Sequence, residues 1–184
     1  MAPKIKVNRE AIVEVALEIV RQDGVQALNA RMVAAKLGCS TQPVFSNFAS
    51  MEELKQAVIG GADALCNRYR QQEVDRGEYP EYKAHGMAYI RFAMEERELF
   101  KLLYMRDRTG EMIPEVLDPS MEELVQNRLG VDAQGARLFH LEMWAYVHGI
   151  ATMVATGFGV PDWELVSKML TDAYLGLRTQ YEKE

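Results

Sequence analysis

Arg31–Phe48 reads RMVAAKLGCSTQPVFSNF, and this stretch decides the fold. Val33, Ala34 and Leu37 recur at helical spacing, and Asn29 stands just before them as a cap. Gly38 stops that helix, a two-residue turn follows, and Ser40 opens a second, short helix. Pro43 falls in the first turn, where a missing N–H is harmless. Val44 and Phe48 are spaced for one buried face. Two short helices joined by a tight glycine-containing turn make a helix-turn-helix, whose second helix is built to lie in the DNA major groove.

The flanking residues extend the unit. Ile12, Ala16, Ile19 and Val20 share a face between a cap at Asn8 and a stop at Gly24. Ser50 and Glu53 form a capping box that launches a long fourth helix through Leu54, Val58, Leu65 and Tyr69. Gly60-Gly61 lies inside it and costs about 2 kcal/mol of helix propensity relative to alanine. Asp75–Pro80 is polar and is the best candidate linker. Helices are then expected at about 81–95, 96–107, 115–129, 132–156 and 162–181, punctuated by Gly130, Gly157, Gly159 and Pro161. No segment alternates as a strand does. The expectation is an all-α chain of about nine helices. Residues 1–50 form a three-helix DNA-binding domain, and residues 51–184 a larger helical domain for ligand binding and dimerisation.

Composition bounds the function. The chain has 184 residues and a net charge of −6, unlike a typical nucleic-acid binder. Residues 1–56 carry seven bases and six acids, and the remainder carries 14 and 21. DNA contact is therefore local to the N-terminal part. No apolar run is long enough to span a bilayer, and MAPKIKVNRE lacks the apolar core of a signal peptide, so a cytoplasmic protein is expected. Cys39 and Cys66 read as free buried thiols. His85, His140 and His148 lack the spacing of metal ligands, so neither metal nor cofactor is expected. No phosphate loop, dinucleotide fingerprint or nucleophile elbow is present, which argues against an enzyme.

Residues 10–58 resemble the N-terminal domain of the TetR family of transcriptional regulators. The resemblance rests on the Gly24 break, the Asn29–Arg31 helix start, the Leu37-Gly38 turn, the aromatic Phe45 and the Asn47-Phe48 end. Trp144-Ala145-Tyr146-Val147-His148-Gly149 resembles the W-x-x-x-H-G pattern of one group of its C-terminal domains. The resemblance implies a homodimer acting on a near-palindromic double-stranded DNA operator. It implies a repressor, or less often an activator, released by a small apolar or amphipathic effector. The alternative is a helical interaction module, or an activator without a ligand.

Asn29, Arg31, Ser40, Thr41, Gln42, Phe45, Ser46 and Asn47 are the candidate DNA contacts. Gln42 is the best base reader, since an amide pairs bidentately with adenine. Arg31 matches a family phosphate contact, and Asn47 a position that faces DNA. Where the family often has Tyr and Lys, this chain has Phe45 and Met51, so fewer phosphate contacts and a shallower salt slope are expected. Tyr89, Phe92, Phe100, Leu103, Tyr104, Met121 and Trp144 are dense enough to line a malleable cavity, although for any single one ordinary core packing is the plainer reading. His148 reads first as a helix-crossing residue and second as pocket lining. Arg106 and Arg108 are candidates for an anionic ligand or plain surface. Leu138, Leu141, Ala145, Leu165, Met169, Ala173 and Leu177, with Gly149 and Gly176, give apolar seams for a four-helix dimer interface. The fourth helix is expected to be the sole covalent route between the two parts.

Overall fold

A computed structural model describes residues 7–107, 109, 119–159 and 162–181. These contain nine α-helices and no strand: α1 (Arg9–Asp23), α2 (Ala30–Lys36), α3 (Gln42–Asn47), α4 (Met51–Arg76), α5 (Glu81–Glu95), α6 (Arg97–Tyr104), α7 (Pro119–Leu129), α8 (Ala133–Thr156) and α9 (Trp163–Tyr181). A single 3-10 turn, Val25–Ala27, joins α1 to α2. The all-α architecture matches the sequence expectation. Residues 115–118 of the expected seventh helix, with Arg108 and Pro161, lie outside the described residues.

The chain forms two compact units, residues 1–67 with 96–106, and residues 68–95 with 107–184. It therefore passes between them three times, at 67/68, 95/96 and 106/107. This corrects the expectation that α4 is the sole covalent route. The expected linker is also corrected: α4 continues through Arg76, Gly77 turns the chain with φ +65°, and both sides of the turn belong to the same unit.

The first unit is built around α1. Asn8 caps it, its Oδ1 accepting from the Ala11 N–H at 2.9 Å. Gly24 ends it at φ +79°, where a Cβ would also meet Glu98 Oε2 at 2.9 Å. No side chain fits that backbone at low cost. Ile12, Ala16, Ile19 and Val20 are fully buried, together with Val33, Leu54, Val58 and Ala62 of α2 and α4. Arg21 of α1 holds the buried Glu96 by a two-pronged pair, its Nε donating at 2.6 Å.

In the second unit α5 and α8 pack most extensively, with α7 and α9 alongside. Met87, Ile90 and Phe92 of α5 and Phe139 of α8 are sealed from solvent. Val125, Ala136, Phe139 and Met143 form a cluster against which Tyr82, Ala173, Tyr174, Leu177 and Tyr181 pack. Gly86 lets α5 approach its neighbours: a Cβ there would lie 3.0 Å from Leu170 Cδ2 and 3.4 Å from Val147 Cγ2.

Candidate nucleic-acid interface and ligand cavity

The turn between α2 and α3 is closed by backbone hydrogen bonds. Cys39 N–H donates to Ala34 O at 3.0 Å and Gly38 N–H to Ala35 O at 3.2 Å, with Gly38 at φ +64°. This is the paired bonding that terminates a helix through a left-handed glycine. The turn is longer than the two residues expected, because α3 starts at Gln42 with Thr41, not Ser40, at its cap position. Thr41 makes no side-chain cap bond. Pro43 has removed one N–H of the first turn, and Thr41 O takes those of Val44 and Phe45.

The helix faces sort the site. Val44 and Phe48 point inward at 1% exposure each, as their spacing requires. Ser40, Gln42, Phe45 and Ser46 are exposed, and Thr41 and Asn47 are half-buried. Phe45 is 55% exposed. Ser46 Oγ donates to Gln42 O at 2.9 Å and Asn47 Nδ2 to Pro43 O at 2.8 Å. Asn29 is engaged as the α2 cap, its Oδ1 accepting from Met32 N–H at 3.0 Å and its Nδ2 donating to Ala27 O at 3.1 Å. Arg31 is exposed at the start of α2. The structure thus gathers Gln42, Phe45 and Ser46 on one short exposed helix, whereas Asn29 is committed to local structure.

Arg9 supports this helix and was not legible in the sequence as doing so. Its guanidinium donates to Asn47 O at 2.6 Å, pairs with Glu53 at 2.9 Å and lies 4.0 Å from the centre of the Phe48 ring. It ties the end of α3 to the start of α1 and of α4. Glu53 in turn accepts from Ala49 N–H at 2.7 Å, while Ser50 Oγ accepts from Glu53 N–H at 3.1 Å. The Ala49 hydrogen bond, then Arg9, holds the Glu53 carboxyl below its ordinary pKa.

The second unit contains a cavity of ≈ 350 Å³, within the range of small-molecule sites. Tyr89, Met121 and Trp144 line it as the sequence suggested. Phe92 is spent in the core, its ring 5.5 Å from Tyr69 in an edge-to-face pair. Phe100, Leu103 and Tyr104 belong to α6 in the first unit, where Phe100 and Tyr104 pack ring to ring at 5.1 Å. Helical spacing identified all four as buried or aromatic but gave no sign of which core each would join. Arg106 is in the first unit as well. His148 stands behind the cavity wall, its Nδ1 2.9 Å from Tyr89 Oη and its ring stacked on Trp144 at 4.9 Å. Desolvation lowers its pKa and favours the neutral ring, which suits packing at a helix crossing.

A second tyrosine–histidine pair, Tyr82 Oη to His140 Nδ1 at 2.8 Å, sits about two turns earlier on the same two helices. The lining also includes Arg70, Lys83, Arg128 and Arg178, which no sequence spacing had grouped. They come from α4, α5, α7 and α9 and meet only in the folded unit. Among the described residues no cluster of three metal-ligating side chains occurs, and no helix is long and apolar enough to cross a membrane.

A short helix-turn-helix with an exposed second helix in one unit, and a cavity in the other, define an all-helical helix-turn-helix protein. Residues 82–173, half the chain, match a family model described as tetracyclin repressor-like, C-terminal domain. The chain belongs to the TetR family of regulators. Its fold is similar to that of a protein of unknown function from Rhodococcus sp. RHA1, at 23% identity and TM-score 0.67, over 94% of this chain and 93% of that one. It is similar too to a TetR-family member from Streptomyces coelicolor A3, at 19% identity and TM-score 0.62, over 92% and 98% of the two chains. A third similar structure is the multidrug binding protein EbrR complexed with imidazole, at 21% identity and TM-score 0.58, over 90% and 88%. Comparison with curated proteins found no match.

Proposed function

We propose that this regulator is a cytoplasmic homodimeric repressor that binds a near-palindromic DNA operator and leaves it when a small molecule occupies the cavity. Residues 1–50 carry DNA recognition, and residues 51–184 carry the cavity and the dimer contact. The observation behind this reading is α3 itself, which buries Val44 and Phe48 and leaves Gln42, Phe45 and Ser46 in solvent. Gln42 reads a base edge, Arg31 holds a phosphate, and Phe45 lies against sugar or a thymine methyl. A single six-residue helix buries too little to bind tightly alone, so two copies are needed.

An exposed apolar stripe supplies the dimer contact. Leu138, Leu141 and Met153 on α8 and Leu165 and Leu175 on α9 are each more than a third exposed. A Cβ at Gly149 or Gly176 would meet nothing within 4 Å, which leaves room for a partner helix. Ala173 and Leu177, placed in the seam by sequence, instead pack on the Phe139 cluster. The inward register of α9, set by Val166 and Leu170, turns these two toward the core and Leu175 outward. The test is binding of genomic fragments by the full-length chain at moderate salt. Retention of a small set of fragments by a dimer supports the reading. Retention of all fragments equally, or of none, refutes it.

A further inference from the structure

We infer that the cavity takes an organic anion, an acid group carried on a small aromatic or acyl body. This rests on the cavity being the effector site proposed above, and adds the chemistry of what enters it. Acids outnumber bases in this chain by 27 to 21. Yet every fully charged side chain on the described cavity wall is basic: Arg70, Lys83, Arg128 and Arg178.

Lys83 is the strongest pointer. Its Nζ donates to Ser167 Oγ at 2.7 Å and Thr171 Oγ1 at 2.8 Å, two hydroxyls one turn apart on α9. Thr171 Oγ1 also donates to Ser167 O at 3.0 Å, so it meets Lys83 as an acceptor. Among the described residues no carboxylate pairs with the ammonium, and the Tyr79 ring lies 4.8 Å away as a further favourable contact. An ammonium has three protons to donate, and the two hydroxyls take two. Desolvation already works against its charge. A rigidly held cation with neutral partners and a spare donor is a site that an anion completes. Arg128, exposed at the end of α7, adds a second positive charge at the rim.

The rest of the wall gives the ligand its body. Met121, Met143, Val147 and Leu170 offer adaptable apolar surface, and Tyr82 and Tyr174 present tilted rings 6.0 Å apart. A bare inorganic ion would leave that surface unused. A neutral apolar molecule would leave the Lys83 ammonium desolvated and short of a partner.

The experiment compares two fluorescent probes on the full-length protein. One is 1-anilinonaphthalene-8-sulfonate, and the other is N-phenyl-1-naphthylamine, the same ring system without the sulfonate. The sulfonate probe should bind tighter by about tenfold or more, the worth of a charge-assisted hydrogen bond. Lys83→Met should remove most of that preference and leave the neutral probe's affinity in place, and Arg128→Gln should lower it by a smaller factor. Met121→Trp, which fills the cavity, should weaken both probes. Equal wild-type affinities that both fall in Met121→Trp overturn the charge inference and leave the effector cavity standing. So does a sulfonate preference that ignores both cations. Probe binding that Met121→Trp does not touch, or no binding at all, overturns the effector cavity as well. A thermal melt identifies a misfolded variant, and Arg128→Gln on the surface carries the charge test should Lys83→Met be one.

Discussion

Gly60→Ala with Gly61→Ala should stabilise this protein. The two glycines sit in the middle of α4, a continuous 26-residue helix, where each costs about 1 kcal/mol of helix propensity relative to alanine. The usual reason to keep glycine in a helix is close approach of a neighbour, and the geometry here does not require it. A Cβ at Gly60 meets nothing within 4 Å. A Cβ at Gly61 meets the Leu17 methyls at 3.7 Å and Val13 Cγ1 at 3.9 Å, ordinary van der Waals contact. The double substitution should therefore gain about 2 kcal/mol, plus a few tenths from the new methyl against Leu17. For a chain of this size that raises Tm by about 4–8 °C. Gly24→Ala is the internal control. At φ +79° with ψ 167°, and with a Cβ 2.9 Å from Glu98 Oε2, the same substitution should cost about 1–3 kcal/mol. Thermal melts followed by circular dichroism measure both. A double mutant that melts lower than wild type refutes the packing argument. A double mutant that is more stable but has an altered ratio of operator affinities with and without effector would give the pair a role in signalling.

Three further outcomes follow from the site. Arg31→Ala should weaken DNA binding evenly across sequences and reduce the salt slope by about one unit, read from affinities over a salt series; a changed sequence preference at constant slope would remove Arg31 from the phosphate contacts. Because the folded Glu53 carboxyl titrates below its ordinary 4.5, its stabilisation is present above that pH and is lost as pH falls through the folded value. Glu53→Gln should thus narrow the drop in melting temperature between neutral and acid solution, and an unchanged drop would contradict the Ala49 and Arg9 contacts. Leu141→Glu with Leu175→Glu should yield a folded monomer in sedimentation and lose operator binding; a persistent dimer would move the interface elsewhere.

Local signals in the sequence led to correct local structure. The Asn8 cap, the Gly24 and Gly38 stops, the Ser50 cap on Glu53 N–H and the inward pair Val44 and Phe48 all appear because each depends on neighbours within one or two helical turns; the return bond of the box goes to Ala49 N–H in place of Ser50 N–H. The cap of α3 falls one residue later than expected, at Thr41 and not Ser40, because Pro43 changes which N–H groups a cap must satisfy. What depends on distant segments was illegible. Nothing in residues 1–10 ties Arg9 to Asn47 or Glu53, and nothing in the spacing of Phe92, Phe100 and Tyr104 says that they enter different cores. The cavity cations come from four helices, so no window of sequence contains them together. Gly86, a glycine inside an otherwise regular helix, marks where α5 comes close to Leu170 and Val147, but carries no sign of the cations.

The most direct test of the account is selection of bound duplexes from a random-sequence DNA library by the full-length protein, followed by footprinting of wild type and Gln42→Ala on the recovered sequence. The expected product is a two-fold-symmetric, near-palindromic site with half-sites separated by about one helical turn or a multiple of it. Gln42→Ala should lose about 1–3 kcal/mol on that site while non-specific affinity is kept. Protection without sequence preference, or a preference that Gln42→Ala leaves intact, would contradict the claim that α3 reads the operator.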